Sequence, residues 1–199
     1  MTDRDRALLE LAARAAGMVN YNPITGSMTW KQKPKNTKDS ARWNSRYSGK
    51  ECGTVDDKGY RRILFRFQPD STFKIRVHRL AWFIVYGVIP FGEIDHINQI
   101  KTDNRIENLR DVPKSINQRN VPRRVSNTSG VPGVTWHKQR AKWCAQASVD
   151  GKHHHIGLFT AIEDAEKAAK EFRAAHGFSE IHGRAIVRAA AELGKQIGR

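Results

Sequence analysis

The sequence predicts an α+β chain organised as two modules. Three observations carry that expectation. Period-2 alternation runs through 60–78 and again through 133–159, broken by turn residues, so strands are expected in both halves. Helical patterns interrupt them: an almost wholly apolar run at 78–87 and an amphipathic one at 161–177, each closing on a glycine. Between the halves lies a basic stretch, 121–128, with the composition of a linker. The expected division is an N-terminal helix at 1–19, a first module at 20–120, the linker, a second module at 129–182, and a basic tail helix at 183–199.

Each element has its own warrant. Residues 3–17 set Leu8, Leu9, Leu11, Ala12, Ala15 and Ala16 at helical spacing, with Gly17 as the stop. YNPITGSMTWK (21–31) reads as a turn feeding a short strand, punctuated by Asn22-Pro23 and Gly26. The polar, basic stretch 32–50 reads as a loop whose Trp43 and Tyr47 suit packing on the module better than stacking on bases. GTV (53–55), YRRILFRF (60–67) and TFKIRVH (72–78) form an antiparallel meander. Its apolar face holds Ile63, Phe65, Phe67, Phe73, Ile75 and Val77. The other carries Arg62, Arg66, Lys74 and Arg76, either a solvated face or a row of phosphate contacts. HRLAWFIVYG is a buried helix, and His78 at its start suits a buried, hydrogen-bonded residue better than one that approaches the chemistry at 95–117.

EIDHI (93–97) is a short strand, followed by a polar loop, a turn and a returning strand at RIENL and RDVP. KSINQRN (114–120) then begins a helix. In the second module, GVTWHK (133–138), WCAQASV (143–149) and HHHIGLF (153–159) are three strands. The helix over 161–177 offers a narrow face of Ala161, Ala165, Ala168, Ala169 and Phe172 that fits closely onto a sheet.

Composition bounds the partners. The 199 residues carry 35 Lys and Arg against 20 Asp and Glu, a formal net charge of +15. Such an excess favours a polyanion, because Lys and Arg displace counterions condensed on phosphates. Cys52 and Cys144 lie far apart with no CxxC pair, which argues against a zinc ribbon and for two reduced thiols. The charged N-terminus has no signal-peptide or membrane-span pattern, so a soluble cytoplasmic protein with no membrane partner is expected.

The chemistry concentrates between 95 and 117. His96, with an ordinary pKa near ~6.5, can take a proton from water in its neutral form. Asp95 offers the hard anionic oxygen that Mg²⁺ prefers, and Asn117, on a helix, a neutral amide oxygen. Two such ligands leave coordination positions for water and phosphate. Asn108 is placed to hold the loop or the imidazole ring. Singly, Asn104, Asn108, Asn117 and Asn120 are ordinary turn or cap residues; their joint spacing is the signal.

The run DHINQIKTDNRIENLRDVPKSINQRN resembles the HNH nucleases of the ββα-metal fold, in their phage homing-endonuclease branch. The flanks YNPITGSMTWK, DKGYRRI and HRLAWFIVYGVIPFGEIDHINQIKTDNRIENLR extend the likeness across 20–120. The resemblance implies Asp95 and Asn117 as metal ligands, His96 as general base and Asn108 as the structural Asn. Asn117 stands where the family name has His, an HNN variant found in intron-type nicking enzymes that disfavours softer ions such as zinc or nickel. It further implies one Mg²⁺ per site, with Mn²⁺ as substitute and no small-molecule cofactor. Double-stranded DNA would be cut to 3′-hydroxyl and 5′-phosphate ends by a monomer or weak dimer in the cytoplasm of a phage-infected bacterium. Arg105, Arg110 or Arg119 would clamp the scissile phosphate.

Residues 129–182 resemble an AP2 DNA-binding domain, in which a three-stranded sheet enters the major groove backed by one helix. Strand alternation then turns Trp143, Ala145, Ala147 and Val149 to the helix, and Gln146 and Ser148 to the groove beside Thr135, His153 and His155. Lys138, Arg140, Lys142 and Lys152 occupy turns as phosphate contacts, and Arg123 and Arg124 in the linker add to them. His153, His154 and His155 cannot all meet one ion, since neighbours on a strand face opposite sides. Two other functions fit the same composition: a DNA-binding regulator with a vestigial nuclease domain, and an RNA-binding intron helper.

Overall fold

Thr2 starts the first helix, α1 (Asp3–Gly17), through a reciprocal cap with Asp5. The helix buries Ala12 and Ala15, small residues that allow close approach to neighbouring elements. A computed structural model describes residues 2–34, 36–68, 71–123 and 125–183, which divide into two compact units, Met1–Pro113 and Lys114–Arg199.

In the first unit, β1 (Val19–Tyr21) and β2 (Met28–Trp30) form an antiparallel hairpin. Its turn is closed by Asn22, whose Oδ1 accepts from the amides of Ile24 and Thr25. The loop expected over 32–50 is instead largely a helix, α2 (Lys38–Tyr47). Thr37 and Ser40 cap its start reciprocally. From inside it, Asn44 accepts from the Lys33 amide and donates to the Lys33 carbonyl. Local hydrogen bonds thus replace the apolar stripe that a sequence pattern would display. Trp43 packs edge-on against Trp30, 5.7 Å between ring centroids, so the packing expectation for this aromatic holds.

The meander comprises β3 (Thr54–Val55), β4 (Arg61–Gln68) and β5 (Ser71–Arg76), in the order β3-β4-β5. Ile63 pairs with Ile75 and Phe65 with Phe73 on the core side, while Arg62 lies opposite Arg76. Helix α3 (Val77–Tyr86) buries Val77, His78, Leu80 and Ala81, and ends where Gly87 takes φ 70°, a left-handed stop open to glycine. The core of the unit gathers Met28, Ile63, Phe65, Val77, Leu80, Ile94 and Leu109. Strand β6 (Glu93–His96) pairs antiparallel with β7 (Leu109–Val112), and a 3-10 turn at Ile106–Asn108 joins the intervening loop to β7. Asp111 accepts the amides of Phe91 and Gly92, fixing the entry to β6.

The second unit opens on a one-turn helix, α4 (Lys114–Asn117), shorter than expected over 114–120, and a 3-10 turn at Gln118–Asn120. The unit begins ahead of the expected linker because this stretch hydrogen-bonds onward. The Arg119 carbonyl accepts from the Ser179 amide, and that of Val121 from the Gly183 amide. Strands β8 (Val134–His137), β9 (Lys142–Val149) and β10 (Lys152–Phe159) form a sheet in the order β10-β9-β8, packed with α5 (Ile162–Ala175). Val131, Val134, Ala145, Ala165 and Ala169 make its core. Arg173, 8% exposed, donates to the Pro132 carbonyl at 2.5 Å and ties the helix to the entry of β8. The tail helix expected over 183–199 lies, beyond Gly183, outside the described residues.

Candidate active site

His96 ends β6 at 4% exposure, with Asp95 beside it at 5%. Three groups fix the imidazole. Its Nε2 lies 3.3 Å from Asn104 Oδ1. The amide of Asn104 has a determined orientation, because its Nδ2 donates to the Thr102 carbonyl. Oδ1 therefore faces the ring, and an acceptor there places the imidazole proton on Nε2, leaving Nδ1 as the basic nitrogen. His78 stands edge-on to His96 at 5.1 Å, and Tyr60 lies 5.9 Å from it and 5.1 Å from His78.

This enclosure tunes both histidines. Burial lowers the His96 pKa, partly opposed by the Asn104 contact and the Asp95 charge, so its neutral, proton-accepting form persists into mild acid. His78 falls further, from 6.5 to about 3, through burial first and His96 second. The expected buried helix-start histidine is thus also a wall of the His96 pocket.

Asn104 is itself set from behind. Tyr21 donates its hydroxyl to the Asn104 carbonyl at 2.7 Å, and the Ile106 amide donates to the Pro23 carbonyl. Gly26, at φ 73°, comes so near that an added Cβ would lie 2.5 Å from the Arg105 nitrogen. The YNPITGSMTWK segment therefore braces the loop that holds the His96 ring.

Asn108 performs the loop half of its expected task. Its Oδ1 accepts the Asn98 amide and its Nδ2 donates to the Asp103 carbonyl, closing the loop between β6 and β7. Asn104 takes the imidazole half and was missed by sequence reasoning, since a single Asn in a polar loop resembles any turn residue. Asn117 is the last residue of α4, in the second unit, and is part-buried.

The three arginines expected as phosphate clamps are differently engaged. Arg105 binds Asp103 at 2.8 Å and Glu107 at 2.7 Å. Arg110, directly across the ladder from Asp95, donates Nε and Nη2 to Asp95 Oδ2 at 2.9 and 2.8 Å. Arg119 pairs with Asp150 at 2.7 Å. Among the described residues no group of three or more His, Cys, Asp or Glu could hold a metal. The donors present, a carboxylate and amide oxygens, suit a hard divalent cation with few protein ligands better than a soft one.

The second unit carries an exposed polar face. Thr135, Gln146, Ser148, His153 and His155 are all exposed, with Gln146 opposite His155 and Ser148 opposite His153. Ser148 Oγ and His153 Nδ1 lie 3.0 Å apart, and the buried Cys144 sulfur 3.5 Å from His155 Nδ1. His154 points the other way, its ring 5.3 Å from that of Phe172 on α5, so the three histidines do divide between faces. Lys138, Arg140 and Lys142 are exposed at the β8–β9 turn. Arg123 donates to the Gly130 carbonyl, and Arg124 lies outside the described residues. In the first unit Arg66 is exposed and Arg62 part-buried. Both cysteines are free thiols, and burial pushes that of Cys52 up to about 12. Among the described residues no helix is long and apolar enough to cross a membrane.

Residues 76–119 match the family described as HNH endonuclease. Over 103 residues the chain is 32% identical to Protein 3.8 of Escherichia phage T7, spanning 51% of this chain and 85% of that protein. No solved structure matches the chain.

Proposed function

The chain belongs to the family of phage T7 Protein 3.8 and carries an HNH endonuclease domain over 76–119, and on that premise we propose that it is a metal-dependent, site-recognising DNA endonuclease of the homing or mobile-element type. One observation supports the proposal: Asn104, His78 and Tyr60 enclose the His96 ring beside a carboxylate, and burial lowers its pKa, as suits a general base. His96 Nδ1 takes the proton of a water attacking the phosphodiester. Asp95 and Asn117 would hold the divalent cation, Mg²⁺ with Mn²⁺ as substitute. That ion's chemistry is to neutralise charge growing on the phosphate and the departing 3′ oxygen. Asn108 keeps the β6–β7 loop closed. The exposed face of the second unit's sheet, with Gln146 and His155 paired at its middle, serves as an AP2-like reader of the major groove. One such site per chain nicks as a monomer.

The pairing of Arg110 with Asp95, together with the near-complete cover over both active-site residues, favours one alternative, a DNA-binding regulator with a vestigial nuclease. Supercoiled plasmid incubated with the protein and Mg²⁺ separates the two. Relaxation by wild type and none by His96→Ala is expected; equal inertness of both over a panel of phage DNAs would establish the regulator.

A further inference from the structure

We infer that Tyr60, Arg76 and Lys101 form a subsite for one DNA phosphodiester beside His96, an assignment that rests on the endonuclease reading for its ligand. The three residues come from separate segments: the approach to β4, the end of β5, and the β6–β7 loop. Two cations converge on one ring. The Arg76 guanidinium carbon is 4.2 Å from the Tyr60 centroid and the Lys101 ammonium 4.9 Å from it. The same ring lies 5.9 Å from that of His96.

Arg76 has a long ion pair to one carboxylate, and Lys101 is bonded to a carbonyl. Arg76 reaches Asp56 at 3.5 Å, against 2.7 to 2.8 Å for the pairs that occupy Arg105 and Arg110. Lys101, an exposed residue, donates to the Lys58 carbonyl at 2.8 Å. Arg62 adds a third positive charge directly opposite Arg76, and its Nε is buried with no hydrogen-bond partner. Asp56 offsets this repulsion in part, one carboxylate against two facing arginines, and an added anion would answer the remainder. A phosphodiester, with one negative charge and two acceptor oxygens, is that anion in a DNA-cutting protein. This subsite offers a pair of cations arranged on Tyr60 as the clamp, in place of Arg105, Arg110 or Arg119.

The test uses the full chain in EDTA with a fluorescent duplex, its affinity measured across a salt series. Lys101→Met and Arg76→Gln are each expected to reduce the slope of log K against log salt by about 1, while Arg76→Lys keeps the wild-type slope. In Mg²⁺, one neutral methylphosphonate next to the nick is expected to slow wild type at least tenfold and either neutral variant less than twofold. Unchanged slopes in both variants, with His96-dependent nicking intact, would overturn the subsite and spare the endonuclease reading. Reduced slopes in a protein that does not cut would support the subsite and sink that reading.

Discussion

His96 works only if its ring is held, and the holders are neutral. A second imidazolium at the position of His78 would repel a protonated His96 and lower its basicity; burial keeps His78 uncharged instead. The cost appears in acid. His78 is neutral in the folded chain down to about 3 but takes a proton near 6.5 when unfolded, so the unfolded state binds more protons between those limits. Its contribution to stability is intact above 6.5 and is lost as pH falls toward 3. Urea midpoints of wild type and His78→Gln should therefore converge on acidification from pH 7 to 4; a constant gap would refute the linkage. The same logic sets the rate profile. Because the His96 pKa is lowered, the nicking rate should reach its plateau at a pH below that of an ordinary imidazole. Asn104→Ala should cut kcat by roughly 10²–10⁴, the usual worth of a positioned base, with little change in DNA affinity. Asn104→Asp, which keeps the acceptor, should recover part of the loss. A fall in affinity with kcat unchanged would remove Asn104 from the site.

Elements explain what single residues cannot. Asp95, His96 and Asn108 were legible because they lie on one strand and in its adjoining loop, where spacing in the chain fixes spacing in the fold. Asn104 is as near in sequence, but its importance depends on Tyr21, Pro23 and Gly26, which fold back onto it from the first hairpin. Tyr60 and His78 meet His96 only because β4, β5 and α3 carry them there. No periodicity reports that kind of meeting. Helix α2 was hidden for the opposite reason: its stability is local and polar, held by the Thr37 cap and Asn44 rather than by an apolar face. The hairpin brace makes its own prediction. Gly26→Ala must place a Cβ against the backbone at Arg105 and take a left-handed φ, a combined strain of about 1–3 kcal/mol. It should lower both thermal stability and kcat. Loss of stability with kcat unchanged at a temperature where the variant is folded would show that the hairpin supports the fold alone.

At the scale of the whole molecule, two functions are assigned to two units, and they should separate in experiment. The net charge of +15 predicts binding dominated by phosphate contacts and steeply weakened by salt. Charge of that kind holds DNA without choosing a sequence, so selection must come from side chains that reach base edges. The exposed face with Gln146 opposite His155 is the candidate, since an amide can pair with adenine and each good base contact discriminates by about 1–3 kcal/mol. A double variant, Gln146→Ala with His155→Ala, changes no residue of the first unit and leaves the core of its own sheet, which faces α5, intact. Mapped on phage DNA, its nicks should spread from a few preferred positions to many, with total nicking within about threefold of wild type. The salt dependence of binding should stay the same, because every lysine and arginine is kept. If the cleavage map is unchanged, sequence choice belongs elsewhere, and the Arg62 and Arg66 face of the meander becomes the surface to vary next.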